Sequence, residues 1–481
     1  MTFAEPTSKM SPEAAQATTE MDLLKLFLTP ADLDRIVTQT NLYAAQEGAR
    51  NFTKVTPSSV LAYFGILIAM GLLPKSDIQS YWSRSQTVST PWFPSVMPRA
   101  RFLEHQRYLH LANNKGTGPK VGGKFVDKLY KVRPFLDSLL QSFPKHYNPG
   151  KELSIDEMMI GTKCRLGFIQ YMKDKPTKWG VKVWTLCDAT VHYCLCFDIY
   201  TGGTGETGQT FNIVNQLMSQ FLEKGHKLFT DNFYTSPELL AHLLAHKTLA
   251  VGTVRVNRKH MPMRLKPSET ELEVGKSVFV QSHGMTACRW KDKRDVFVLS
   301  TAHGKSSTEI TRKRAGGRGE EEVIHKPDMI IDYNQFMGGV DVYDQLLSYH
   351  PVIRKCKRWW WKVCMRLFDM ALVNSYALWN LKHPENRSKT AHVSFRLALA
   401  NQLVAPYRME AVNPPGRLLR TTPETRLQPQ HHAQPIRYQT RRICTWCRNP
   451  NETIVTGCEA CGPTVRLHVF EPCFSEYHSK V

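Results

Sequence analysis

Between Lys151 and Val254 the sequence alternates short strand-like runs with two helical patterns, and this order restricts the fold more than any other feature. Leu153–Ile160, Val181–Cys187 and Tyr193–Tyr200 are β-branched or aromatic-rich runs separated by turns, as in an antiparallel meander. A glycine-rich turn, Gly202 to Gly208, precedes a helical pattern carried by Phe211, Val214, Leu217, Met218 and Leu222. His226–Thr230 reads as a strand ending at Asp231. Thr235-Ser-Pro-Glu238 predicts a helix start, with Thr235 as cap and Glu238 completing a capping box. Leu249–Val254 reads as the last strand. Strands in this order bury their faces only under helices, so an α/β core is expected.

The flanks differ. From Met21 to about Asn114 apolar residues recur every three or four positions, at Leu23, Leu24, Leu26 and Phe27, through Val60–Leu73, and from Phe102 to Leu111. That is a helical pattern. Arg255 to about Glu322 is basic, Gly-rich and carries short strand-like pieces, so it reads as an insertion. The core resumes at Met329–Asp332, runs into a helix, and is followed by a long amphipathic helix from about Trp359 to Trp379. Pro, Gln, Arg and Thr dominate after Pro406, as in a linker. The expected division is a disordered leader (1–20), a helical domain in two parts (21–150 and 351–405) and a core in two parts (151–255 and 326–350). An insertion (256–325), a linker (406–440) and a cysteine-rich module (441–481) complete it.

Charge restricts the partner. The chain has 63 Lys and Arg against 42 Asp and Glu, a net +21, which favours a polyanion. Nucleic acid is the usual one, because each neutralised phosphate releases counterions; ribosomal, membrane-surface and heparin-binding roles stay open on charge alone. Met1–Glu20 is polar and lacks the apolar stretch of a secretory signal. The longest apolar run, Val60–Leu73, falls short of the ~20 residues a membrane span needs, so no membrane partner is expected. Twelve cysteines in a cytosolic or nuclear chain would stay reduced.

Three aspartates stand out by position. Asp156 sits mid-strand, where an unpaired charge on a buried face is costly. Asp231 ends a strand just before a capped helix. Asp341 lies in Gly338-Gly-Val-Asp-Val-Tyr-Asp344, with Asp344 three residues on and so on the same helical face. Two divalent ions ~3.5–4 Å apart need several convergent carboxylates, and magnesium suits phosphate chemistry there. Each of these acids taken singly equally fits a turn former, a cap or an ion-pair partner.

The chain resembles piggyBac-like transposases from about Leu23 to His478. The resemblance rests on Ser154-Ile-Asp-Glu-Met-Met, Lys182-Val-Trp, Phe229-Thr-Asp-Asn-Phe-Tyr-Thr-Ser236, Gly252-Thr-Val-Arg and Lys293-Arg-Asp-Val. It continues through Asp332-Tyr-Asn-Gln-Phe-Met-Gly-Gly-Val-Asp-Val-Tyr-Asp-Gln345 and Ala371-Leu-Val-Asn-Ser-Tyr376. The resemblance implies catalytic, magnesium-binding roles for Asp156, Asp231 and Asp341, with Asp344 as a supporting acid. It implies an RNase H-like (retroviral integrase-type) core with an insertion, and a helical dimerisation and DNA-binding domain. The implied reaction is cleavage at transposon ends through hairpins and transfer into TTAA targets, by a nuclear homodimer acting on double-stranded DNA with terminal inverted repeats. A domesticated descendant that binds DNA without moving it carries the same residues.

The C-terminal module has its own signature. Cys444-x2-Cys447 and Cys458-x2-Cys461, followed by His468, Cys473 and His478, match zinc-ligand spacing. Metal would supply the folding energy of so short a segment. Seven candidates are one short of two tetrahedral sites, so one or two structural zinc ions are expected. A ubiquitin-ligase RING has a related layout but leaves the upstream matches unexplained. Lys173, Lys175, Lys178 and Lys182, with Arg255, Arg258 and Lys259, are candidate DNA contacts, as are Arg354, Lys355, Lys357 and Arg358. Arg312-Lys-Arg314 is a weak import signal. Trp359-Trp-Trp361 has the look of a stacking platform, but at helical spacing beside Val363, Leu367 and Met370 at least one of its rings belongs in a core.

Overall fold

Threonine caps set the first long helices. Thr29 opens α1 (Pro30–Gln46) and Thr56 opens α2 (Pro57–Leu72). In each, the hydroxyl accepts from the backbone three residues on, Asp32 or Ser59 returns the bond, and Pro sits in the first turn. α3 (Arg99–Tyr108) and α4 (Arg133–His146) complete the first helical layer. In this computed structural model residues 3–115, 120–121, 124–202, 208–313, 321–386, 388–412, 435–443 and 453–458 are described. They divide into two units, Met1–Val404 and Ala405–Val481. The stretch read as a disordered leader carries structure: Lys9–Met10 pairs with Tyr147–Asn148, and Ser11 caps the short helix Pro12–Gln16.

The sheet begins with β1 (Glu152–Gly161), β2 (Trp179–Asp188) and β3 (Cys194–Ile199), followed by α5 (Gln209–Met218). β4 (Lys227–Thr230), α6 (Pro237–Ala245) and β5 (Leu249–Thr253) complete the alternation. Spatial order is β3-β2-β1-β4-β5. β2 runs antiparallel to both β1 and β3; β4 runs parallel to β1, and β5 parallel to β4. Ser236, not Thr235, caps α6 by accepting from the Leu239 N–H. The Thr235 hydroxyl is already engaged by the Thr230 hydroxyl (2.8 Å) and the Asp231 carbonyl (2.7 Å).

The segment read as an insertion continues this sheet. β6 (Ser277–Ser282), β7 (Met285–Lys291) and β8 (Asp295–Ser300) form a meander whose last strand pairs antiparallel with β5; with the short strand Gln170–Tyr171 beside β2 this makes a nine-stranded sheet among the described residues. β9 (Ser307–Lys313) and β10 (Glu321–Pro327) form a separate hairpin. The chain then enters α7 (Asp328–Phe336), α8 (Gly339–Tyr349), α9 (Trp359–Lys382) and α10 (Ala391–Val412). α10 carries Pro406 within it and ends six residues past the expected start of the linker.

Helices from the two ends of the first unit pack together. Phe64 of α2 stacks on Phe368 of α9 at 4.4 Å, and a Cβ at Gly65 would meet Val404 of α10 at 2.8 Å. Trp360 and Trp361 are buried in that packing, so they are core rather than platform. Asn374 ties α9 to β3, its amide bonding both N–H and C=O of Cys194 (3.0 and 2.9 Å). Among the described residues no helix is long and apolar enough to cross a membrane. In the second unit, strand Pro435–Ile443 pairs antiparallel with Thr453–Cys458.

Candidate active site

A parallel neighbour brings the first two acids together. On β1, Ile155 stands opposite Thr230, the last residue of β4, so Asp156 and Asp231 are the next residues on adjacent parallel strands. The turn after β4 is locked. The Asp231 carboxylate accepts from the Phe233 N–H (2.9 Å), and Arg258 donates to the Phe233 carbonyl (2.6 Å). Arg255 reaches the Asn232 side chain (3.2 Å).

The third acid depends on glycine. A Cβ on Gly339 would meet Ser154 Oγ at 2.4 Å and Ala189 Cα at 2.9 Å, so only a residue without one lets α8 approach β1 this closely. The helix therefore starts beside the strand two residues before Asp156. Its first turn carries Asp341, and Asp344 follows one turn on. Gly339→Ala is expected to cost ~1–3 kcal/mol as overpacking. Urea unfolding checks this; an unchanged midpoint would refute the close-approach argument.

One ammonium sits among the acids. Lys175 Nζ lies 2.6 Å from Asp156 and 3.5 Å from Asp341. Its charge also pulls down the carboxyls of Asp231 and Asp344. Burial nevertheless wins at three of them. It raises Asp156 against the pull of Lys175, Asp231 against the Phe233 N–H, and Asp344 against Arg366. Tyr333 reports the same convergence: burial first, then the charges of Asp231, Asp156 and Asp341, push its phenol up to about 12. Among the described residues no three His, Cys, Asp or Glu side chains stand close enough to hold a metal ion as they are. Lys175 instead pairs with two of the acids, Asp156 and Asp341.

A family model described as Transposase IS4 matches residues 19–376. The chain is 27% identical over 479 residues to PiggyBac transposable element-derived protein 3 of Homo sapiens, covering 96% of this chain and 76% of that one. It belongs to the piggyBac-type transposases. PiggyBac transposable element-derived protein 2 of Homo sapiens is 25% identical over 376 residues, covering 76% of this chain and 62% of that relative. Among solved structures, a piggyBac transposase synaptic complex with hairpin DNA matches with a TM-score of 0.74 and 25% identity, covering 85% of each chain.

In this piggyBac-type chain the basic candidates separate by surroundings. Lys173, Lys178, Lys259, Lys355 and Lys357 are exposed. Lys178, Lys355 and Lys357 line a groove of about 720 Å³ that also takes in Lys163 and Lys362. Others are held internally. Lys182 bonds Glu157 at 2.7 Å with its ammonium over the Phe233 ring. Arg354 donates to the Pro351 carbonyl (3.0 Å), and Arg358 to the Arg107 carbonyl (2.8 Å). Arg312 is ion-paired to Asp292 and Glu322, both at 2.6 Å. Arg314 and the zinc candidates Cys444, Cys447, Cys461, His468, Cys473 and His478 lie outside the described residues; of Cys458 only the backbone, closing a hairpin strand, is described. Sequence reasoning missed Lys175 as the partner of the acids and Tyr333 as their neighbour. Lys175 stood only among the candidate DNA contacts, and Tyr333 only within the Asp332–Gln345 match, with nothing local to tie either to the acids.

Proposed function

We propose that the chain cuts and rejoins DNA as a piggyBac-type cut-and-paste transposase, with Asp156, Asp231 and Asp341 as its catalytic acids and Asp344 in support. The observation carrying this is the contact of one ammonium, Lys175, with Asp156 of β1 and Asp341 of α8, where Asp231 is the next residue on the adjacent strand and Asp344 lies one helical turn from Asp341. The order β3-β2-β1-β4-β5, three strands antiparallel and two parallel, supports an RNase H-like reading of the core. Two magnesium ions bound by these acids would supply Lewis-acid activation and charge neutralisation at the phosphate. The chain's part is to hold the acids rigidly: the β1–β4 register sets Asp156 against Asp231, and Gly339 sets α8 against β1. Lys175 is the cation that must move aside. The groove lysines would bind phosphates without reading sequence.

On this reading the partner is double-stranded DNA with terminal inverted repeats, cut through hairpin ends and joined at TTAA, by a homodimer in the nucleus. The C-terminal module would hold one or two zinc ions. The curated relatives are described as transposable element-derived, so the second reading is a DNA-binding descendant that no longer transposes. A cellular reporter interrupted by the matching terminal repeats separates the two. Seamless excision establishes the transposase; end binding without excision establishes the descendant.

Metal and pH should act together. Asp156, Asp231 and Asp344 have raised values, so their contribution to stability is fullest below their unfolded pKa, ~4, and is lost as pH rises through the folded values. A divalent cation favours the ionised acids and offsets that loss. Magnesium should therefore raise the unfolding midpoint clearly near about pH 7.5 and little near about pH 5. Equal shifts at both would argue against binding at these acids.

A further inference from the structure

Two large rings stand in water on the basic side of the site. Tyr171 and Trp179 are each 52% exposed, with ring centroids 4.8 Å apart and planes tilted by 47°. Backbone pairing fixes them side by side: the short strand Gln170–Tyr171 runs antiparallel to the start of β2, with Tyr171 directly opposite Trp179. Trp179 forms part of the wall of the lysine groove, and of a second cavity of about 590 Å³ that contains Lys163 and Arg165. Among the described residues, no carboxylate lines either cavity. Uncompensated cations beside an exposed aromatic pair suit one polymer, a nucleic-acid strand, whose phosphates the lysines neutralise and whose bases the rings stack.

The duplex form of that polymer does not fit the rings. In the interior of a paired helix each base face is covered by its neighbours, so away from a blunt end a side-chain ring stacks only where a base is unpaired. Position indicates which unpaired bases these are. Trp179 is four residues from Lys175, at most ~14 Å along an extended chain, and Lys175 touches Asp156. That reach corresponds to about four steps of stacked DNA.

We propose that Tyr171 and Trp179 form a stacking platform for unpaired DNA bases at the strand end being processed, with the strand's phosphates along the groove of Lys178, Lys355, Lys357 and Lys362. This rests on the DNA-cutting reading above. The platform is sequence-tolerant, because every base has a π-face. It lies at the sheet edge and is exposed, whereas Trp360 and Trp361 of α9 are buried.

The test uses the full chain and two DNAs, a blunt terminal-repeat duplex and the same duplex with a short single-stranded overhang carrying 2-aminopurine. Wild type should bind the overhang form more tightly and quench the 2-aminopurine. Trp179→Ala and Tyr171→Ala should each lose about ten-fold in affinity for the overhang form, keep blunt-duplex affinity and lose the quench. Trp179→Phe should restore both. If both alanine variants bind and quench as wild type does, the platform is wrong while the DNA reading stands. Equal binding of both DNAs by wild type, without quenching, likewise excludes the platform alone. If wild type binds neither DNA, the DNA-cutting reading fails and the platform with it.

Discussion

Asp231→Ala is expected to abolish reporter excision and to lower magnesium-dependent strand cleavage by the purified chain roughly a thousand-fold or more. Loss of a group that merely supports a metal ligand costs about ten- to a hundred-fold; loss of an acid that holds the metal directly should cost more. Alanine also removes the acceptor for the Phe233 N–H. Asp231→Asn is therefore the sharper variant, since its side-chain oxygen can still accept that bond while the charge is gone. Both should be inactive, with an unfolding midpoint close to wild type for the asparagine. Near-normal cleavage by Asp231→Asn would remove Asp231 from the reaction.

The second large effect lies in the helical layer. Asp369 of α9 and Arg396 of α10 are both fully buried, 3.6 Å apart. Asp369 also accepts from the Val352 N–H (3.2 Å), and Arg396 donates to the His350 carbonyl (2.8 Å). Burial pushes the Asp369 carboxyl up to about 6 against the pull of Arg396 and Arg366. The pair is thus a costly arrangement that holds only while both charges are present. Asp369→Ala strands a guanidinium in the core and should cost ~3–5 kcal/mol. The double change Asp369→Leu with Arg396→Met should recover most of it, because apolar groups of similar size need no counter-ion. Urea unfolding of the three chains decides: a mild single-variant loss, or no recovery in the double, would contradict an uncompensated-charge account.

Much of the site is legible in the sequence because its cues are local. A strand that ends in Asp just before a capped helix, and a Gly-Gly pair just before Val-Asp, are constraints between neighbouring residues. They place Asp231 and Asp341 at element ends without any knowledge of the fold. The cap itself falls one residue beyond the expected Thr235, because that hydroxyl is claimed by Thr230 and Asp231, and a short pattern does not show such a competition. The basic candidates are the least legible. Lys182, Arg354 and Arg358 read as surface charge, yet each finds an internal acceptor, and long side chains reach partners set by packing alone.

What the sequence determined by itself was the α/β alternation, the helical flanks and four acids in order, since hydrophobic period, caps and turn residues act over a few positions. The tertiary structure alone decided that β4 lies beside β1, that α8 closes on Ser154, and that Lys175 sits among the acids. It also decided that β6 to β8 continue the core sheet, and that Tyr171 and Trp179, not the buried Trp360 and Trp361 of α9, face water. Each of these joins residues far apart in the chain. Their meeting depends on strand register and on which backbone atoms can come within van der Waals contact, and neither is encoded in any single segment.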